Sequence, residues 1–320
     1  MRWWNGSVRP VRDLALALLV LAGPLAADTA FITCQNGEVL SVLDLDKGTE
    51  RARWPLPGKP AGIAVGAGAV YTVSPDDKTV RRLSPETGEV LARVTLDGGP
   101  IGVALDAGRG RLFVSDWYNA RIWVLDGKTL GVTAEMTTGA APAGLALSPD
   151  GALLASADRD ADQVSLFDAE TLAPLARVTV GTRPFGLRFA PDGRLFVGNV
   201  GSNDVTVIDA ARAGVLATVP VGARPYGVGF ARGRAFVTNQ YADTVSVIAL
   251  DTLAPEALIS VGEYPEGIDT SADGQRILVA NWFENTVSVI DAATLQVIAE
   301  IETGDGPRAF GTFVMTEDGK

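Results

Sequence analysis

The chain has 320 residues, 47% hydrophobic and 20% charged, with 36 glycines and a formal net charge of −11. A chain this apolar buries enough surface to offset its conformational entropy, which excludes a disordered polymer; the acidic balance argues against nucleic acid or an anionic membrane as a partner. Histidine is absent and Cys34 is the lone cysteine, which excludes histidine-based triads, histidine-ligated haem, the usual zinc and copper sites and an intramolecular disulfide.

Residues 1–27 read as a cleavable signal peptide. Arg2, Arg9 and Arg12 give a basic start, Leu14 to Leu21 is a short apolar run, and Gly23-Pro24 and Ala26-Ala27 supply the small residues before a cut. The apolar run falls short of the roughly 20 residues that span a bilayer. The expected mature chain therefore begins at Asp28 and is periplasmic with no membrane span, an uncleaved anchor being the alternative. Cleavage removes three arginines and one aspartate, taking the net charge from −11 to −13.

Three β-rich runs come next, Phe31 to Cys34, Val39 to Asp44 and Glu50 to Leu56. A Pro-x-Gly tripeptide then recurs from Pro60, Pro100, Pro142, Pro184, Pro225 and Pro265, with a worn copy, Pro307-Arg308-Ala309, at spacings of 40 to 42 residues. Within each unit four β-rich runs are separated by turns such as Ser148-Pro149-Asp150-Gly151. A period in the forties with four short strands per unit is the signature of a propeller. The predicted fold is all-β, a seven-bladed β-propeller of four-stranded antiparallel blades, over residues 28–320. Six blades begin near residues 60, 100, 142, 184, 225 and 265. The seventh is assembled from 307–320, with one strand at Phe310 to Val314, and from 28–57, so that the two ends of the chain close the ring.

Phe236-Val237-Thr238-Asn239, followed by Thr244-Val245-Ser246-Val247-Ile248, resembles the YVTN family of bacterial β-propeller repeats over nearly all of residues 28–320. The resemblance implies exported proteins, many of which bind ligands or partners. Some similar propellers accompany quinoprotein dehydrogenase systems that use pyrroloquinoline quinone (PQQ).

In an up-and-down blade, the loop entering the first strand and the loop leaving the second lie on one face, so two rings should surround one mouth of the channel. The first holds the middle residues of Pro-x-Gly: Ala61, Ile101, Ala143, Phe185, Tyr226, Glu266 and Arg308. The second ends each second strand: Cys34, Ser74, Asp116, Asp158, Asn199, Asn239 and Asn281, with aromatics close by at Trp117, Tyr118, Tyr241, Trp282 and Phe283. Asn, Asp and Ser at a strand end commonly bond the following turn, whereas a polar ring with aromatic walls is the makeup of a ligand mouth. Two places after each glycine the chain carries small residues, except at Arg188 and Asp269. Charges near the axis need a partner or a ligand, which makes this pair the sharpest ligand-binding candidates.

No motif supplies a nucleophile, and no residue pattern asks for a cofactor. The favoured function is a non-catalytic periplasmic binding or assembly protein acting through the channel-mouth face on a small molecule or protein partner. The alternative is a metal-assisted hydrolase of the lactonase type. Its oxygen donors would be Glu266, Asp116, Asp158, Asn199 or Asn281, a set suited to calcium or magnesium.

Overall fold

The computed structural model describes residue 1 and residues 28–315, so the expected signal segment falls, apart from Met1, outside the described residues. Its strands form seven sheets, the blades of a propeller. Blade 1 spans residues 62–95, blade 2 100–137, blade 3 142–179, blade 4 184–220, blade 5 225–260 and blade 6 265–302. Blade 7 joins Thr29–Cys34, Val39–Asp44 and Thr49–Pro55 to Val314–Met315. One 3-10 turn, Arg159–Ala161, is the only helical element among the described residues, and none of their helices is long and apolar enough to cross a membrane.

The periodicity of burial explains the blades. Second and third strands, such as Leu153–Asp158 and Gln163–Asp168, are buried almost throughout, because both their faces pack on neighbouring blades. Fourth strands alternate: in Gln296–Glu302 every second residue is exposed. The core is accordingly a set of inter-blade clusters rather than a single centre. Ala64 and Tyr71 of blade 1, for example, pack with Val114 and Trp123 of blade 2.

The Pro-x-Gly repeat has a steric cause. In all six intact copies, a Cβ built on the glycine would sit less than 3.0 Å from the carbonyl oxygen of the middle residue in the next copy. Only glycine lets adjacent blades approach this closely near the axis. Hydroxyls staple the same junction in three blades. Thr33, Ser115 and Thr238 donate to the carbonyls of Ala61, Ala143 and Glu266 at 2.9, 2.7 and 2.8 Å.

Closure is more elaborate than a single strand over Phe310 to Val314. Pro307 still faces Cys34, as Pro265 faces Asn281 in blade 6. The chain then swings toward blade 1, where Phe310–Gly311 runs parallel to Gly62 and Ile63, before Val314 and Met315 pair with Ala30 and Thr29. Two features hold the detour. Ala309 takes a positive φ of 45°, and the Asp269 carboxylate accepts from Phe313 N at 2.7 Å and Val314 N at 2.9 Å. The close-approach glycine shifts with it, since a Cβ on Gly311 would collide with Ile63 O. The C-terminal strand thus touches blade 1 as well as sealing blade 7.

Candidate functional site

Phe185, Tyr226 and Phe310 meet on the axis, with ring centroids 4.7 to 5.5 Å apart. This aromatic plug divides the channel into two cavities. Beneath it lies a space of about 410 Å³ lined by the inner strands, with Arg188 and Asp269 its only charged lining residues. These two, from blades 4 and 6, pair across the channel at 2.6 Å, and Asp269 also takes Thr270 N and the two closing amides. Every strong acceptor position of Asp269 is thereby engaged within the protein.

Above the plug is the mouth, a cavity of about 430 Å³. From the first ring, Phe185, Tyr226, Glu266 and Arg308 line it; Ala61, Ile101 and Ala143 do not. Glu266 is only 3% exposed and lies 3.2 Å from Arg308 Nε. Burial pushes its pKa up, against the pull of Arg308, the bond that Gln240 Nε2 donates to Oε1 at 2.6 Å and the more distant charge of Arg224. Burial works to lower the pKa of Arg308, but Glu266 and Tyr226 outweigh it and fix the guanidinium as a cation. Arg308 also donates to the Tyr226 hydroxyl at 2.8 and 3.0 Å and to Gln35 at 3.1 Å, bridging blade 5 to blade 7 across the opening.

One wall is aromatic. Tyr264 packs on Trp282 and Phe283 at 5.8 and 4.9 Å, and burial, helped by the neighbouring Tyr241, pushes its pKa up to about 12, so the ring stays neutral. Tyr241, 58% exposed, carries the Arg224 guanidinium 4.4 Å above its ring and accepts from Arg224 Nη1 at 2.8 Å. Tyr118 stands out at 76% exposed and does not line the cavity. Arg159, opposite, is paired with Asp160 and lies over Trp117. Arg224 has no carboxylate within ion-pair distance among the described residues. Four buried polar atoms of the residues around this cavity have no hydrogen-bond partner: Arg224 Nε, Trp282 Nε1, Gln240 Oε1 and Glu266 Oε2.

The second ring requires a correction. Cys34, Ser74, Asp116, Asp158, Asn199, Asn239 and Asn281 are fully buried and none lines the mouth. Each turns back into its own blade. Asn239 and Asn281 bond the side chains five and seven places on, and Asn199 does the same with Asp204 and Thr206. Asp158 takes Gly139 N, Ser156, Gln163 and Ser165. For Asp116, burial raises the pKa but bonds from Gly99 N, Asn119, Arg121 and Tyr118 N outweigh it and hold the carboxyl low. Ser74 accepts from Arg81. Cys34 bonds Ser41 and burial pushes its thiol pKa up. The oxygen donors of a metal-assisted hydrolase do not converge: no group of three or more Cys, Asp or Glu side chains comes together to hold a metal ion among the described residues.

The ring that does face the mouth is one residue further along. Gln35, Trp117, Arg159, Val200, Gln240 and Trp282, each directly following a second-ring residue, all line the cavity. Each is the first turn residue after its strand, where the chain leaves the ladder, so its side chain departs from the face that its predecessor seals. Arg224 and Tyr264 arrive from a third position, immediately before Pro-x-Gly, where φ is positive at 57° and 59°.

A family model for the YNCE-like beta-propeller matches residues 111–317. The chain belongs to that family. Its repeats carry the YVTN-like segments noted above, but the family matched is the YNCE-like one. No match is found among curated proteins. Among solved structures, this propeller is similar to a functionally unknown protein from Desulfotomaculum acetoxidans, at 15% identity and TM-score 0.77 over 91% of this chain and 99% of that one. It is also similar to hydrazine synthase from Kuenenia stuttgartiensis, at 18% identity and TM-score 0.73 over 82% and 91%. Virginiamycin B lyase from Staphylococcus aureus is a third, at 17% identity and TM-score 0.67 over 80% and 92%. At these identities the likeness shows the fold alone.

Proposed function

We propose that this YNCE-like propeller is an exported, periplasmic binding protein that takes an anionic aromatic small molecule at the channel mouth and leaves it chemically unchanged. One observation carries the reading: Arg224, with no carboxylate within ion-pair distance among the described residues, stands at an aromatic-walled cavity in an otherwise acidic protein. A guanidinium of this kind recognises a carboxylate in a two-pronged, charge-assisted geometry, and flat rings beside it suit a planar ligand body. The mouth residues supply orientation and a neutral stacking wall, while the Glu266–Arg308–Tyr226 network fixes the floor. Following the repeat resemblance, the partner system is a PQQ-dependent quinoprotein dehydrogenase, with this protein as its non-catalytic accessory. Export by residues 1–27 leaves Asp28 as the first mature residue, which N-terminal sequencing of periplasmic protein decides.

The binding test uses benzoate as probe and the fluorescence of Trp117 and Trp282 as readout. Arg224→Ala should weaken binding by about tenfold, the loss of one charge-assisted contact, with an unchanged melting temperature. Equal affinity in the variant contradicts the reading.

A further inference from the structure

The unpartnered atoms around the mouth divide into two kinds, and the division carries information about what completes them. Arg224 Nε and Trp282 Nε1 can only donate. Gln240 Oε1 accepts, as does Glu266 Oε2 when ionised, and both belong to residues that are 3% exposed. These two acceptors are neighbours, because Gln240 Nε2 already donates to Glu266 Oε1. Arg308 Nε lies 3.2 Å from Glu266 Oε2 but spends its hydrogen on the Tyr226 hydroxyl. Buried polar atoms in folded proteins are overwhelmingly paired, and each orphan costs free energy until something pairs it. Trp282 Nε1 lies on the side of Gly306, which does not line the cavity. The other three, one donor and two acceptors in side chains that line the mouth, are three of the ten such atoms found among the described residues.

From this we infer that the ligand is an aromatic anion that also carries its own hydrogen-bond donor, an N–H or O–H, which Gln240 Oε1 and Glu266 Oε2 receive while Arg224 holds the carboxylate. The inference rests on the reading of the mouth as an anion-binding site and adds the second half of its recognition. A purely anionic ligand satisfies Arg224 but leaves the Gln240–Glu266 acceptors facing an apolar edge or a lone-pair-bearing oxygen. A ligand with a donor at the far end of its ring closes both sets. Sites built to bond a substrate hydroxyl reject the analogue lacking it, because the protein's own buried groups are then left unpaired.

The experiment compares two probes of the same charge and similar shape, 4-hydroxybenzoate and 4-methoxybenzoate, by calorimetric titration of the full mature chain. The expected result is a preference for 4-hydroxybenzoate of about tenfold to a hundredfold, the cost of leaving one buried acceptor unpaired. Gln240→Met, close in volume and without the acceptor, and Glu266→Gln should each shrink that preference. Arg224→Ala should weaken both probes alike and keep the preference. Melting curves establish that each variant is folded, and the two acceptor variants are independent, so failure of one to fold leaves the other to decide. Equal affinity for the two probes in the wild type overturns the donor inference while the anion reading stands. Binding of neither probe overturns both, and a preference untouched by Gln240→Met and Glu266→Gln overturns the assignment of these acceptors.

Discussion

Asp269 is the side chain whose loss should damage the ring most for the fewest atoms removed. Its Oδ1 takes Arg188 Nη2 at 2.6 Å and Thr270 N at 2.9 Å, and its Oδ2 takes the two amides of the closing segment. With a side chain 8% exposed against 21% for Arg188, both partners are screened little by solvent. Asp269→Asn keeps the shape but replaces one acceptor oxygen with an amine, so either the closing amides or the arginine lose their partner. Two charge-assisted bonds at about 1.5–3 kcal/mol each, and an arginine left without its counter-charge, put the cost at about 3–5 kcal/mol. At about 2 °C per kcal/mol for a chain of this size, the melting temperature should fall by about 6–10 °C. Arg188→Met leaves the carboxylate its three backbone donors and should cost only about 1–2 kcal/mol. The double variant should cost less than the sum of the two, since no unpaired charge remains. Thermal and urea unfolding followed by circular dichroism measure all three. A loss under about 0.5 kcal/mol for Asp269→Asn, the level of an ordinary surface change, or strict additivity of the pair, would refute the reasoning.

Two further outcomes follow from the packing and the charges. Gly186→Ala drives a Cβ into the Tyr226 carbonyl oxygen and should cost about 2–4 kcal/mol in urea unfolding, whereas Gly214→Ala, with nothing within 4 Å of the added carbon, should stay within about 0.5 kcal/mol; equal costs would contradict the close-approach account. Burial raises the Glu266 carboxyl above its ordinary 4.5 in the folded state, so its contribution to stability is complete below that pH and is lost as pH rises through the folded value. Glu266→Gln does not titrate, so the stability of wild type relative to this variant should fall with rising pH over that window, and a flat difference would show that burial does not control the group.

The architecture was legible because its causes are local and repeated. A glycine that must admit the next blade recurs wherever a blade begins, and strands buried on both faces read as apolar runs. The closing detour was hidden, since it depends on Asp269, far away in sequence, capturing the amides of Phe313 and Val314. The axial pair was visible as two charges in a ring of small residues, but the repeat register alone did not show that Asp269 would be saturated by backbone donors. The mouth was misplaced by one residue. Asn, Asp and Ser attract notice as polar, yet their short side chains are the ones that can turn back onto the hairpin, and the residues after them, such as Arg159 and Gln240, are those that line the mouth. Arg224 and Tyr264 stand at the position before Pro-x-Gly, but Lys59 and Arg183 share that position and its positive φ without lining the mouth, so the register alone does not single them out.

The most direct test of the mouth as the binding site is a crystal structure grown with 4-hydroxybenzoate. The account predicts the carboxylate on Arg224, the ring against Tyr264 and Trp282 and the hydroxyl directed at Gln240 and Glu266, with the Arg188–Asp269 pair intact beneath the plug. Ligand density in the lower cavity on Arg188, with the mouth empty, would contradict it.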